Sequence, residues 1–246
     1  MDPITCLFSL TCFVGPEAGA LGGPLATAPK AATEVVEAQA PAAEDAYKPK
    51  ASEVLTLVQA FYDGTQDLQA KFKQTYYNPS YGSKTITKGD LKLLKPGKMI
   101  WDYKDKADPD FYADGKMLWV IEHDTRQVVS KQVSKNADVA AAMKFLFGGQ
   151  KLVRDFKVRY ASDKRTKRYG SADHYVLELK PRKKNPHYKG LVLVVHNTTG
   201  RVDQFVVYNQ DNSTNHFSLG NVRTNKGIDG KQFEFKVPKG YVESKE

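Results

Sequence analysis

The stretch that decides the fold is residues 89–121, GDLKLLKPGKMIWDYKDKADPDFYADGKMLWVI. Apolar and polar residues alternate on both sides of the Lys-Pro-Gly-Lys turn at residues 95–98, and the Asp114-Gly115 pair is typical of a tight hairpin. The pattern therefore predicts a four-stranded antiparallel meander. Its apolar side chains are predicted to line a concave face suited to a hydrophobic ligand, namely Leu91, Leu93, Met99, Trp101 and Trp119.

Composition indicates a folded, strand-rich body without cysteine chemistry. The 246 residues are 41% hydrophobic and 11% aromatic, which is enough for a sizeable core. Cys6 and Cys12 are the only cysteines, so the rest of the chain offers neither a disulfide framework nor a cysteine-based zinc site. The net charge of +9 is compatible with an anionic membrane surface, an acidic partner or a basic exterior.

The N-terminal region differs from the rest of the chain. The uncharged apolar run at residues 4–15, followed by Ala18-Gly19-Ala20, is typical of a signal-peptide core and cleavage site, but it lacks a basic segment before it. We interpret residues 1–20 as a candidate signal peptide of an exported protein and residues 21–48 as a flexible Ala/Pro-rich linker. Residues 49–246 are predicted to form one domain.

Two amphipathic helices are predicted within this domain. The first has Ser52 as its N-cap and ends at Gly64, and the second covers residues 137–147. The residues alone leave open whether the second helix is a lid or a plug at the end of a barrel. The apolar stripes of the two helices contain Leu55, Val58 and Phe61 in the first, and Met143, Leu146 and Phe147 in the second.

Most of the remaining chain alternates with the period of strands. The last predicted strand carries Phe233, Phe235 and Val237, while the basic clusters at residues 164–168 and 180–184 are predicted to be hairpin tips or linkers. Ten or eleven antiparallel strands with two helices indicate a mainly β protein that forms one curved sheet or an open barrel.

Catalytic and nucleic-acid-binding patterns are not found in the sequence. It contains no HExxH, GxSxG, P-loop or Rossmann motif, and its five histidines are scattered. Aromatic residues do not interleave with the basic clusters as base-stacking platforms would. These observations argue against an enzyme and against a nucleic-acid partner.

Several segments together resemble the LolA family of periplasmic outer-membrane lipoprotein carriers. The similar segments, in chain order, are GDLKLLKPGKMIWDY, ADGKMLWV, KFLFGG, LELKP, RVDQFVVYNQDNSTNHFSL and FEFKVPKG. The resemblance covers about residues 51–241. It implies an open, strongly curved antiparallel half-barrel whose helices form a lid over a hydrophobic cavity.

The resemblance also implies partners and roles. Carriers of this family are monomers without cofactor or enzymatic activity. They take acylated lipoproteins from an inner-membrane ABC transporter and deliver them to an outer-membrane receptor. Met99 and Trp101 match cavity positions, for which ordinary core packing is the alternative. Lys95 matches the basic lid latch, commonly arginine, for which a solvent-facing turn lysine is the alternative.

Other functions stay open at this point. A LolB-like outer-membrane receptor has the same half-barrel and would normally carry a lipidated N-terminal cysteine, for which Cys12 is the candidate. An exported sigma-regulatory sensor of the same fold, an exported hydrolase and a polysaccharide-binding module are further alternatives.

Overall fold

The computed structural model describes residues 48–133, 152–186 and 188–245. The candidate signal peptide, nearly all of the predicted linker and the second predicted helix at residues 137–147 lie outside these residues. In chain order the described elements are α1 (Ala51–Asp63), β1 (Asp67–Asn78), β2 (Ser83–Leu94), β3 (Lys98–Tyr103), β4 (Asp110–Asp114), β5 (Met117–Glu122), β6 (Gln127–Gln132), α2 (Leu152–Asp155), β7 (Phe156–Tyr160), α3 (Asp163–Tyr169), β8 (His174–Pro181), β9 (Tyr188–His196), β10 (Val202–Asn209), β11 (Thr214–Thr224), a 3₁₀ helix (Gly230–Phe233) and β12 (Val242–Lys245).

The described strands form one open, curled sheet. Its order is β12-β6-β5-β4-β3-β2-β1-β11-β10-β9-β8-β7, so β12 and β7 are its edges. All neighbouring strands are antiparallel except β12 and β6, which run parallel. The predicted mainly β half-barrel is therefore confirmed, but the sheet has twelve strands where ten or eleven were predicted.

The sheet curls because one of its faces is apolar along almost its whole width. Side chains on this inner face, from β5 at one end to β7 at the other, form a single buried cluster that also contains the apolar side of α1. Strict alternation of buried and exposed positions puts Leu68, Ala70 and Phe72 of β1 on the inner face, and puts Lys71 and Lys73 on the outer face. Burial of this stripe holds α1 in the hollow of the sheet.

Helix α1 begins two residues earlier than predicted. It starts at Ala51, and Lys50 takes the capping position in place of Ser52. The reason is that the carboxylate of Glu53 reaches back and accepts a 2.8 Å hydrogen bond from the backbone N–H of Lys50. An acidic side chain in the first helical turn is favourable at the positive end of the helix dipole.

The C-terminal segment crosses the outer face and does not form the predicted strand at Phe233, Phe235 and Val237. Phe233 ends a 3₁₀ helix and is buried in a second cluster with Ile100 and Ile228. Phe235 stacks on Trp119, with 5.0 Å between ring centroids. The alternation of large side chains in this segment reflects packing onto a sheet face, and β12 provides the strand pairing further on.

The basic cluster at residues 164–168 lies in the connection between the paired strands β7 and β8, as predicted for a hairpin tip, but this connection is helical. It forms α3, with Asp163 in the first turn and Lys167 and Arg168 in the last, an arrangement that suits the helix dipole. Tyr169 anchors α3 on the outer face against a cluster that includes Val176 and Val194.

Candidate functional site

Four of the predicted cavity residues lie together on the inner face. Leu91, Leu93, Met99 and Trp101 have side chains that are at most 3% exposed. They belong to the same buried cluster as the inner side of α1. Register explains their proximity, because Leu91 is opposite Trp101 and Leu93 is opposite Met99 across β2 and β3.

Trp119, the fifth predicted cavity residue, lies on the opposite face. It pairs with Tyr112 across β4 and β5, and both rings contact Phe235 on the outer side. Its neighbours Leu118 and Val120 are the β5 residues that point inward. Trp119 therefore supports the C-terminal segment and is not part of the inner face.

Aromatic rings form the centre of the inner face. Phe72 lies 5.2 Å from Trp101 and 5.0 Å from Tyr103, measured between ring centroids. Phe217 lies 5.4 Å from Trp101 and stacks on Phe205 at 4.7 Å. Phe205 and Phe217 were not among the predicted site residues. Their alternation in β10 and β11 was visible in the sequence, but the pairing of β1 with β11 that brings them to Trp101 was not.

Trp101 presents a polar atom inside this apolar surface. Its indole Nε1 is buried and has no hydrogen-bond partner within the described part of the chain. A buried donor left without a partner costs about 1–3 kcal/mol. The site therefore contains an N–H that can donate to the ester or amide oxygen of a ligand.

Helix α1 covers the inner face with predicted lid residues. Leu55 and Val58 are fully buried against the sheet, and Phe61 is partly buried beside them. Tyr62 ends the same stripe, and burial raises the pKa of its hydroxyl far above the usual range, opposed by a hydrogen bond with the backbone of Val202. The other three predicted lid residues, Met143, Leu146 and Phe147, lie outside the described residues.

The chain returns to α1 directly after residues 134–151. Leu152 of α2 is buried in the inner cluster, and its backbone N–H donates a 3.1 Å hydrogen bond to Oε1 of Gln59 on α1. The helical side of the inner face is therefore assembled from two parts of the chain.

Lys95 holds the C-terminal end of α1. Its Nζ donates hydrogen bonds to the carbonyl oxygens of Tyr62 at 2.7 Å and Asp63 at 3.0 Å. These carbonyls belong to the last turn of α1, where a cation is favourable because the helix dipole is negative there. A lysine point charge suits two carbonyl acceptors, so this contact does not need the planar fork of an arginine.

A second anchor for the end of α1 was missed in the sequence. Asn225 accepts a hydrogen bond from the N–H of Gln66 at 2.7 Å and donates one to the carbonyl of Gly64 at 3.1 Å. The buried carboxylate of Asp67 accepts from the backbone N–H groups of Lys226 and Gly227. These partners follow β11 in the chain, and no local pattern connects them with α1.

Replacing Lys95 with methionine is expected to destabilise the protein by about 1–2 kcal/mol, because two charge-assisted hydrogen bonds to the end of α1 are lost. Chemical denaturation measures the free energy of unfolding, and hydrogen exchange of the α1 amides shows whether the helix opens more often. Lys104→Met is the matched control, because Lys104 has an exposed side chain in a loop. Equal changes in both variants would show that Lys95 does not restrain α1.

A metal-binding cluster and a membrane-spanning helix are not seen in the described ranges. Residues 48–133, 152–186 and 188–245 contain no cluster of three or more histidine, cysteine, aspartate or glutamate side chains that could hold a metal. No helix in these ranges is long and apolar enough to cross a membrane.

The open sheet, with its apolar inner face covered by a restrained helix, is a half-barrel. Residues 63–236 match the family described as outer membrane lipoprotein carrier protein LolA, and the chain belongs to this family.

Named relatives agree with this family membership. An outer-membrane lipoprotein carrier protein of Chromobacterium violaceum is 28% identical over 193 residues, covering 78% of this chain and 87% of the relative. A protein of the same name from Legionella pneumophila (strain Paris) is 26% identical over 185 residues, covering 75% and 86%. Among solved structures, a LolA superfamily protein from Nitrosomonas europaea matches with a TM-score of 0.41 and 12% identity, covering 76% of this chain and 99% of that one.

Proposed function

We propose that this protein is a periplasmic carrier that shelters the acyl chains of lipoproteins released from the inner membrane and delivers them to the outer membrane. Family membership makes it a lipoprotein-binding carrier. The observation that carries the finer proposal is the continuous apolar inner face of the open sheet, which is covered by a helix and not by another sheet.

The energetics of acyl chains explain why such a cover is useful. Each methylene transferred from water to an apolar site contributes about 0.8 kcal/mol, so two or three chains contribute tens of kcal/mol. A carrier that kept all of this free energy would not release its cargo. Here the inner face is already covered by Leu55, Val58 and their neighbours on α1. An acyl chain must displace them, and the lost helix contacts reduce the net affinity.

Transfer then requires no chemical step in the carrier. The hydrogen bonds of Lys95 and Asn225 favour a closed position in which α1 covers the inner face. Cargo favours an open position in which α1 is displaced. The unpartnered Nε1 of Trp101 would donate to an ester or amide oxygen near the head of an acyl chain. An inner-membrane ABC transporter would load the carrier, and a receptor with a higher affinity for the chains would unload it. The carrier works as a monomer without a cofactor.

Native mass spectrometry after co-expression with a triacylated lipoprotein tests this proposal. We expect a one-to-one complex that survives purification. The same lipoprotein with its acylated cysteine replaced by serine, and therefore without chains, is the control and should give only the free carrier. A complex that persists without acyl chains would contradict acyl-chain binding, and so would the absence of any complex with the acylated cargo.

A further inference from the structure

The hairpin formed by β1 and β2 extends beyond its neighbour β3. β2 pairs with β3 only from Gly89 to Leu94, so residues 83–88 continue past the end of β3. Three large apolar side chains near the tip are exposed, namely Tyr77 at 43%, Tyr81 at 83% and Ile86 at 49%. They are half of the six exposed large hydrophobic residues in the described part of the chain. Such clustering indicates a contact surface, because scattered single exposures are the usual case.

The same hairpin is basic toward its tip, while its two acidic residues, Asp67 and Asp90, lie at its other end, with Asp90 opposite Lys71. Residues 68–89 contain Lys71, Lys73, Lys84 and Lys88 and no acidic residue. Lys73 and Lys88 lie directly opposite each other on the two strands, where like charges destabilise a sheet. Within the described residues, none of these four ammonium groups takes part in a hydrogen bond or ion pair. The fold itself therefore gives no reason for this concentration of charge.

Charges of both signs lie near the hairpin, among them Arg168 of α3 and Asp211 of the β10–β11 turn, and Asp102 of β3 is opposite Asp90. His216 of β11 is affected by burial, by Arg168 of α3 and by Lys73, and all three lower the pKa of its imidazole. An acidic group near the tip is Asp211 in the β10–β11 turn, whose charge acts on Tyr76 of β1. Its carboxylate already accepts hydrogen bonds from the backbone N–H of Ser213 at 2.9 Å and from its hydroxyl at 2.6 Å.

We propose that the β1–β2 hairpin is a docking surface for an anionic phospholipid membrane. Lysines near a membrane are attracted to anionic headgroups, and tyrosines are favoured at the level of the headgroups. An acidic protein partner would account for the lysines but not for the exposed Tyr77, Tyr81 and Ile86 beside them. This inference goes beyond the proposed function, because it concerns the outer surface and needs no cargo.

Vesicle binding by the full chain without cargo tests the proposal. We expect the protein to co-sediment with phosphatidylcholine vesicles that contain phosphatidylglycerol, but not with vesicles of phosphatidylcholine alone, and we expect added salt to weaken binding. Tyr81→Trp places a reporter at the tip. Its emission should shift to the blue on anionic vesicles and should be quenched by brominated lipid.

Charge reversals at two places show whether vesicle binding depends on the hairpin lysines or only on the net charge of the protein. Lys84→Glu with Lys88→Glu should weaken vesicle binding by more than about 20-fold, since each lysine near the surface contributes about fivefold. Lys157→Glu with Lys180→Glu is the matched control, because these exposed lysines also face each other across two strands, β7 and β8. The control should bind almost like the wild type.

Three results would overturn the membrane assignment. The first is equal loss of binding in the two double variants, which would indicate general basicity. The second is no binding of the wild type to anionic vesicles. The third is binding to polyglutamate without binding to vesicles, which would assign the hairpin to an acidic protein. All of these measurements use protein without lipoprotein, so they can fail while acyl-chain binding in the native mass spectrometry experiment succeeds.

Discussion

The Gly89→Ala variant is expected to be about 3 kcal/mol less stable than the wild-type protein, because the added methyl group has no space. A Cβ at residue 89 would lie 2.1 Å from the carbonyl oxygen of Asp102 and 2.4 Å from Cζ of Phe72. The first contact is with the backbone of β3, and the second is with a ring in the aromatic centre of the inner face. Neither atom can move without disturbing the strands or the rings around Trp101.

Chemical denaturation followed by tryptophan fluorescence measures this effect, since Trp101 is buried next to Phe72. Gly220→Ala is the matched control, because a Cβ at residue 220 in β11 would meet no atom within 4 Å. We expect the control to change the free energy of unfolding by no more than about 0.5–1 kcal/mol, in the stabilising direction. If both variants lost a similar amount of unfolding free energy, the loss in Gly89→Ala would not come from a clash with Phe72 and β3.

The alternation of apolar and polar residues predicted the strands well. It did not predict which residues of neighbouring strands lie on the same face of the sheet. Within β5, alternation separates Trp119 from Val120. Only the register decides which of the two joins Trp101, and Phe111 lies opposite both Trp101 and Val120. The true register places Val120 on the inner face, so Trp119, one residue before it, lies on the outer face and not where it was predicted. Register is set by turns and by packing over the whole sheet, so a single strand does not reveal it.

Local sequence patterns were also misleading where tertiary packing decides the structure. Phe233, Phe235 and Val237 alternate like a strand, but this segment lies across the outer face, and pairing with the sheet resumes only at β12. The parallel pairing of β12 with β6 joins segments far apart in the sequence. The anchor formed by Asn225 at the end of α1 likewise joins segments far apart in the sequence. The contact of Lys95 with α1 could be anticipated from the sequence, because residue 95 matches the family's latch position beside a recognisable turn.

Adding a methyl group at Gly200 is expected to push α1 away from the sheet and to increase the affinity for acyl chains. Gly200 lies in the turn between β9 and β10 with a φ of +76°. A Cβ there would lie 2.5 Å from the carbonyl oxygen of Leu57, in the backbone of α1. The clash is expected to cost about 1–3 kcal/mol, in addition to about 1–2 kcal/mol for the left-handed backbone.

Gly240→Ala separates the clash from the backbone strain. Gly240 has a similar φ of +84°, but a Cβ there would meet no atom within 4 Å, and it lies outside the contacts that anchor α1. Both variants should lose stability through their backbone conformation, and only Gly200→Ala should show faster hydrogen exchange in α1. If displacement of α1 is the step that cargo must drive, then a closed state weakened by about 1.4 kcal/mol corresponds to tenfold tighter binding. We therefore expect Gly200→Ala to bind a fluorescent acyl probe about tenfold more tightly than Gly240→Ala does. Faster exchange in α1 with unchanged probe affinity would mean that the helix is a fixed part of the core and that acyl chains bind elsewhere.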